Sequence, residues 1–239
     1  MELRQHVGWA MVNKGWDLFE TDRTAEAIEV YLALSQGLPS EPPFLLPLAQ
    51  GLMNWAVALD SLGRHEDEKE VYDKIQRLLS DSADESTSPY LAWAFVNKGI
   101  TLASERHYAA ALDMYDVVLE RWWTSTLSAG TPMRMHEAIA ASLRHRAAAL
   151  MDSGEPAAAL AAVDRAADRY LGAGNSGIEE EIAWAMFTKG VALEALGRKP
   201  EALVTYDALV NRYRRSTTKQ VRTAVGSARR LREGLELDH

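Results

Sequence analysis

A step of sixteen residues recurs five times in this chain and limits it to a repeat architecture. At the start of each step stands a small residue, and sixteen positions later stands tyrosine or valine. A large apolar residue lies four positions before each small residue and a leucine lies three after it, which is the spacing of one helix face. A unit of this size cannot bury its own apolar face, so neighbouring units must stack. The five pairs are Gly15 and Tyr31, Ala56 and Tyr72, Gly99 and Tyr115, Ala147 and Val163, and Gly190 and Tyr206.

The linkers between these units vary in length, whereas the step inside each unit is constant. Successive small residues are 41, 43, 48 and 43 positions apart. The stretches 35–43, 80–89 and 125–132 have loop composition, and no segment alternates as a strand would. The sequence therefore predicts an all-α fold, an α-solenoid of stacked antiparallel helix pairs forming a single array over residues 1–239. The predicted repeats span 4–39, 44–80, 88–123, 134–171 and 178–215, and a capping helix spans 217–235.

The composition argues against several classes of protein. There is no cysteine, no basic N-terminal segment followed by an apolar stretch, and no run of eighteen apolar residues. Residues 172–177 match the G-x-G-x-x-G pattern of dinucleotide sites, but they follow a predicted helix instead of a strand. The six histidines show no repeated metal-ligand spacing. We therefore expect a cytoplasmic protein without a membrane span, and no catalytic residue, metal or cofactor.

Charge is distributed unevenly along the chain. The net charge is −8, yet residues 208–232 contain eight Lys and Arg residues and no acid. A basic terminal segment on an acidic body disfavours general nucleic-acid binding, which needs a broad basic footprint, but it permits a local contact with an acidic partner or nucleic acid. The alternative is that these side chains form an ordinary solvated helix face.

The repeats resemble tetratricopeptide repeats over nearly the whole chain. If Gly15 is the small position of the first helix, then Ala27, Tyr31 and Pro39 match the small, aromatic and closing proline positions. Glu68 and Val163 depart from the pattern in the second and fourth repeats, and the long period is similar to that of kinesin light chains. The resemblance implies a right-handed superhelix. It also implies that the first helix of each pair lines a concave groove, where family members bind extended or helical peptides of partner proteins.

Asparagine occurs two positions before the small residue in the first three repeats, at Asn13, Asn54 and Asn97. An amide offers an acceptor and two donors, so such a row is able to pair with the peptide groups of an extended ligand. The resemblance implies that this position faces the groove. The alternative is that each amide bonds to a neighbouring helix within the protein.

Tryptophan stands one helical turn before that position in three repeats, at Trp9, Trp93 and Trp184. Partly exposed indole rings beside amides suit a peptide partner, because aromatic residues contribute much of the binding energy in such contacts. The alternative is packing between repeats, which helical aromatic stripes commonly serve.

A cation directly precedes the small residue in four repeats, including Lys14, Lys98 and Lys189. These cations are candidates for binding partner carboxylates. The alternative is that each cation pairs within its own repeat to an acid such as Asp116 or Asp207, an account that leaves out Lys14 because Leu32 stands at the equivalent place.

The sequence as a whole favours a non-catalytic scaffold that binds a peptide segment or helix of another protein. Two alternatives stay open, namely binding through the basic C-terminal helix and a regulatory or sensor role in a larger signalling or enzymatic assembly. Self-association is a further possibility, because repeat 1 begins almost at Met1 without a preceding cap.

Overall fold

The computed structural model describes residues 2–82, 84–124 and 131–237, and within these ranges the chain forms eleven α-helices and no strand. The ends of the predicted repeats and of the predicted capping helix lie within two residues of observed helix ends. Most of the predicted 125–132 loop lies outside the described residues. The helices are α1 (Glu2–Glu20), α2 (Thr24–Gly37), α3 (Leu45–Ser61), α4 (His65–Leu79), α5 (Ser88–Ser104), α6 (Tyr108–Trp122), α7 (Met133–Asp152), α8 (Pro156–Tyr170), α9 (Ser176–Ala195), α10 (Lys199–Tyr213) and α11 (Lys219–Leu237).

The helices form five pairs, from α1 and α2 (repeat 1) to α9 and α10 (repeat 5), and α11 follows the last pair. The chain divides into two compact units, Met1–Thr101 and Leu102–His239, and the division falls within α5. Within each unit the second helix of a repeat contacts the first helix of the next one, as α2 contacts α3 and α8 contacts α9. Each unit is therefore a stack of helix pairs. No helix in the described ranges has the length and apolar character needed to cross a membrane.

The two helices of every repeat are joined by the same tight turn. One residue of each turn has a positive φ, at Asp22, Gly63, Arg106, Gly154 and Gly197. The N–H of the following residue donates to the carbonyl of the leucine that lies three positions after the small residue, as from Arg64 to Leu59 at 3.0 Å and from Arg198 to Leu193 at 2.8 Å. This bond closes the end of the first helix as a Schellman motif does. The repeated leucine thus contributes a backbone acceptor as well as an apolar side chain.

The sixteen-residue step reflects direct contact between the two helices of a repeat. A Cβ atom added to Gly15 would lie 2.4 Å from Cε1 of Tyr31, and one added to Gly190 would lie 2.1 Å from Cε1 of Tyr206. The tyrosine ring occupies the space that a side chain on the first helix would need. In repeat 4 the smaller Val163 stands opposite Ala147, and both are buried in one cluster.

Glu68 occupies a position that is a fully buried alanine in the other four repeats. Its equivalents are Ala27, Ala111, Ala159 and Ala202, all at 0% exposure, and Glu68 itself is only 3% exposed. The turn before it has the same hydrogen bond as the other turns. Repeat 2 therefore keeps the helical register of the array and accommodates a carboxyl group inside it.

Candidate functional site

The cation before the small residue in repeats 3, 4 and 5, and Arg232 at the equivalent position of α11, each form an ion pair with the preceding repeat. Each reaches the acid that follows the buried tyrosine or valine of the preceding second helix. The four pairs are Lys98 with Asp73 at 2.5 Å, Arg146 with Asp116 at 2.7 Å, Lys189 with Asp164 at 2.6 Å, and Arg232 with Asp207 at 2.8 Å. The participating side chains are partly exposed, so each pair contributes on the order of 0–1 kcal/mol.

The alternative that these cations pair within their own repeats is wrong in the identity of the acid, because each acid belongs to the preceding repeat. Lys189 binds Asp164 of repeat 4, and Asp207 of its own repeat binds Arg232 of α11 instead. The tyrosine or valine of the second helix points at its own first helix, so the next residue lies about 100° further around the helix axis, towards the following repeat. For the same reason Lys14 has no such acid, since no second helix precedes α1 in the described residues.

Between repeats 1 and 2 the ion pair is replaced by apolar residues at both positions. Trp55 stands where the other repeats have a cation, and Leu32 stands where they have the acid. Trp55 is 8% exposed, and the Lys74 ammonium lies 4.9 Å from the centre of its ring. The two substitutions together keep this interface without an unpaired buried charge.

The asparagine positions lie against the tyrosine of the preceding repeat. Burial raises the pKa of Tyr31 to about 12, and the neighbouring Asn54 amide opposes that rise. Asn97 has the same relationship to Tyr72, whose pKa burial also raises. The equivalent residue of repeat 4, His145, stacks on Tyr115 with ring centres 6.2 Å apart. Asn54 and Asn97 therefore have internal partners while remaining partly exposed, and the side chain of Asn13 is exposed.

A hydrogen-bonded relay connects the first helices of repeats 2 and 3. The Tyr90 hydroxyl donates to Oε1 of Gln50 at 2.8 Å, and Nε2 of Gln50 donates to Oδ1 of Asn54 at 2.9 Å. Gln50 stands at the position that is tryptophan in repeats 1, 3 and 5. The sequence identified the asparagines, but the relay depends on Tyr90, which no repeat pattern singled out.

The three tryptophans are half-buried and contribute to packing. Trp9 packs on a cluster that includes Val12, Leu34 and Phe44. Trp184 meets Phe187 edge-on with ring centres 5.6 Å apart. Trp93 has the same intermediate exposure. Each indole is therefore partly internal, and the remaining surface lies one turn before the asparagine position on the same helix face.

Glu68 is the centre of a buried polar network. Its carboxylate accepts hydrogen bonds from the Tyr72 hydroxyl at 2.9 Å and the Thr101 hydroxyl at 3.3 Å, and Nδ1 of His65 lies 3.4 Å away. Burial raises the pKa of Glu68, and the hydrogen bonds from Tyr72 and His65 oppose that rise. Asp60 completes a group of three potential metal ligands with His65 and Glu68, whose donor atoms lie within 4.8 Å of one another. The hydrogen bonds to Glu68 give this group a structural role within repeat 2 and α5.

The basic C-terminal segment is only partly engaged with the protein. Arg232 binds Asp207, and Arg212 lies 3.3 Å from Glu179. The remaining cations of the segment are exposed; they are Arg214, Arg215, Lys219, Arg222, Arg229 and Arg230. The G-x-G-x-x-G string begins in the loop between α8 and α9 and ends in the first turn of α9, which Asn175 caps by accepting from the Ile178 N–H at 3.0 Å. A helix precedes this string, so the dinucleotide-binding context is absent there.

Comparisons with known proteins agree with this architecture. The family model of the tetratricopeptide repeat matches residues 184–216, which contain most of α9 and all of α10. No curated protein sequence matches the chain.

Solved structures of repeat proteins cover most of the chain at low sequence identity. The TPR-like repeats of a putative kinesin light chain from Podospora anserina are 15% identical with a TM-score of 0.62, covering 94% of this chain and 97% of that one. BtubC from P. vanneervenii is 17% identical with a TM-score of 0.61, covering 94% and 92%. MamA from Desulfovibrio magneticus RS-1 is 14% identical with a TM-score of 0.60, covering 88% and 97%. At these identities the likeness establishes the fold alone.

Proposed function

Because this chain is a tetratricopeptide-repeat protein, we propose that it is a non-catalytic interaction module whose first helices bind a peptide segment or a helix of another protein. Proteins with this fold generally mediate protein–protein interaction, typically as scaffolds. The proposed binding surface lies on α1, α3 and α5 of the first unit and is centred on Asn13, Asn54 and Asn97, which we term the amide row.

The amide row carries the proposal. Its members recur at one position of three successive first helices and retain exposed surface, although Asn54 and Asn97 also contact buried tyrosines. An amide held by an internal partner on one side and open to solvent on the other is pre-oriented for a ligand. Peptide groups are the ligands that such amides match, since each amide both donates and accepts.

The tryptophans support the proposal by adding apolar surface beside the amides. Trp9 and Trp93 each lie one turn before an asparagine and are half-buried, so their rings are fixed by packing before a ligand binds. Trp184 is at the same position on α9 in the second unit. Rigid aromatic rings lose little conformational entropy on binding.

The lysines have a narrower role in this proposal than the sequence implied. Lys98 and Lys189 are bound to Asp73 and Asp164, so a partner carboxylate has to compete with an internal one. Lys14 has no ion pair within the described residues and is exposed. Among the three lysines, Lys14 is therefore the one whose charge is not matched by an internal carboxylate in the described residues.

The test separates a binding role of the amide row from its structural role. Asn13→Ala removes an exposed amide. It should weaken the free energy of binding of a captured partner by about 0.5–1.5 kcal/mol without altering the unfolding transition of the protein. Asn211→Ala, an exposed asparagine on α10, is the matched control. Partners are captured from the native host by the intact chain, identified by mass spectrometry, and measured against both variants by calorimetry. Equal affinity of the intact chain and the Asn13→Ala, Asn54→Ala and Asn97→Ala variants, all folded, would contradict the proposal.

A second candidate function is a contact between α11 and an acidic partner. Arg222, Arg229 and Arg230 form an exposed basic surface on that helix. Binding through several charge contacts would weaken steeply with salt, whereas binding through the amide row would depend on salt only slightly. A salt titration with each captured partner, or with an RNA oligomer, distinguishes the two.

A further inference from the structure

First helices in the stack carry a stripe that the preceding repeat covers. In α7, α9 and α11 the stripe consists of two large apolar residues four positions apart, a small residue three positions later, and a cation four positions after that. Its apolar and small members are all less than 9% exposed. These members are Met135, Ile139 and Ser142 in α7, Ile178, Ile182 and Ala185 in α9, and Val221, Val225 and Ala228 in α11.

Helix α1 carries the same stripe on an open surface. Leu3, Val7, Ala10 and Lys14 stand at the equivalent positions. Leu3 is 77% exposed and Val7 is 48% exposed, and Ala10 and Lys14 are exposed as well. The order of apolar, apolar, small and cationic residues is that of an inter-repeat interface, but in the described residues nothing packs on it.

The exposed surface of α11 has a different composition from the stripe of α1. It carries Arg222, Arg229 and Arg230 together with Leu231 and Leu237, which are 37% and 86% exposed. In α1 the exposed leucine and valine instead occupy the two apolar positions that the preceding repeat covers in α7, α9 and α11.

Lys14 requires that whatever covers the apolar stripe of α1 also supplies a negative charge. Its four equivalents Lys98, Arg146, Lys189 and Arg232 each bind an aspartate of the preceding second helix. Glu26, whose pKa the Lys14 charge helps to lower, is already held by Arg23 through two bonds of 2.7 Å. A helix that covers the stripe in the manner of the other repeats would bring a carboxylate to Lys14.

We propose that the stripe of α1, consisting of Leu3, Val7, Ala10 and Lys14, is a docking surface for an amphipathic helix of another protein that places a carboxylate against Lys14. A second copy of this chain that docks one of its second helices in the same register is a poor occupant, because the acids at the matching position, Asp73, Asp116, Asp164 and Asp207, are already bound to its own cations. The surface is separate from the amide row, which concerns a different ligand.

Asp17 further restricts which helices fit the docking surface. Its position is Ala58, Ala149 and Ala192 in other first helices, all buried, whereas Asp17 is exposed. The docking helix therefore presents apolar residues to Leu3 and Val7, an acid to Lys14 and a base or hydroxyl to Asp17, about one turn beyond.

The fit of such a helix is tested with a fused probe on the full chain. A copy of residues 176–218 is placed directly before Met1, so that the copied α10 precedes α1 with the linker that normally separates α10 from α11. In this register Lys14 takes the place of Arg232 and meets the copied Asp207. Amide hydrogen exchange of residues 3–14 should slow by about tenfold or more relative to the unfused chain. The effects of Lys14→Gln and of Asp207→Asn in the copied segment on this exchange should be non-additive in the double variant. Unchanged exchange of α1 in the fusion overturns the proposal.

The identity of the occupant is tested in the native host with the full chain. A benzophenone amino acid replaces Val7, and the matched control carries it at Val204, an exposed valine on α10. A cross-link from position 7, absent from position 204, to an acid-bearing helix of another protein supports the proposal if Lys14→Glu abolishes it and an acid-to-lysine change in that helix restores it. Cross-links to a second copy of the chain, or none above the control, overturn it.

Discussion

Lys98 on the first helix of repeat 3 reaches back to Asp73 on the second helix of repeat 2, with 2.5 Å between Nζ and Oδ1. The same relationship joins repeats 3 and 4, repeats 4 and 5, and repeat 5 and α11. An acid and a cation at fixed positions of the repeat therefore link neighbouring repeats and not the two helices of one repeat. This arrangement favours one stacking register, because a shifted neighbour would leave both charges without a partner.

Reversing one of these ion pairs should reveal their contribution. Lys189→Asp should lower the free energy of unfolding, because it places two acids together, and Asp164→Lys should do the same with two cations. The double variant should recover most of the loss, with a coupling of about 0.2–1 kcal/mol, since both side chains are partly exposed. Denaturant unfolding of the four proteins at low and high salt measures this coupling. Additive effects would contradict the inter-repeat pairing.

The repeat pattern predicted the helices well because it reflects contacts between the two helices of one repeat. Gly15 and Tyr31, or Gly190 and Tyr206, are close in sequence and in direct contact, so their spacing determines where both helices lie. The alternative that Lys189 pairs with an acid of its own repeat was wrong, because its acid, Asp164, belongs to the preceding repeat. That pairing depends on the direction in which the residue after the buried tyrosine or valine points. The spacing of residues within one repeat gives no information about this direction.

The candidate site was predictable to a similar extent. The positions of Asn54 and Asn97 on first helices follow from the pattern, but their contacts with Tyr31 and Tyr72 depend on how successive repeats stack. Glu68 was visible as a departure from the small residue expected there. Its burial among Tyr72, Thr101 and His65 required the placement of α5 against α4.

The small residue of repeat 5 should not tolerate even one added methyl group. Gly190→Ala would place Cβ 2.1 Å from the ring of Tyr206, which is itself fully buried, so the helices have to separate. We expect a loss of about 1–3 kcal/mol in the free energy of unfolding, measured with denaturant. Gly226→Ala in α11 is the control, because its Cβ would meet only the flexible Arg230 at 3.8 Å. That variant should be unchanged or more stable by about 0.5–1 kcal/mol, and similar behaviour of the two variants would contradict the contact.

Glu68 should make the stability of the first unit depend on pH. Burial raises its folded pKa above the unfolded value of 4.5, so the folded state binds the proton more tightly than the unfolded state. Stability due to this group is therefore full below pH 4.5 and is lost as pH rises through the folded pKa. Glu68→Gln should be more stable relative to the wild type at pH 7 than at pH 4.5, as measured by denaturant unfolding at both pH values. Glu70→Gln, which neutralises an exposed acid on the same helix, should show no such trend.

His145 should act in the opposite direction in the second unit. Burial, assisted by the Arg144 charge, holds the pKa of His145 well below 6.5, so the folded state keeps the imidazole neutral. Stability due to this group is present above pH 6.5 and is lost as pH falls through the folded pKa, because the unfolded state takes up the proton first. His145→Asn installs the residue that Asn54 and Asn97 provide at this position. The stability of this variant relative to the wild type should therefore increase as pH falls from 7 to 5, as measured by thermal unfolding at each pH. His107→Asn, at an exposed histidine, is the control, and an equal pH response of the two variants would contradict the buried neutral state of His145.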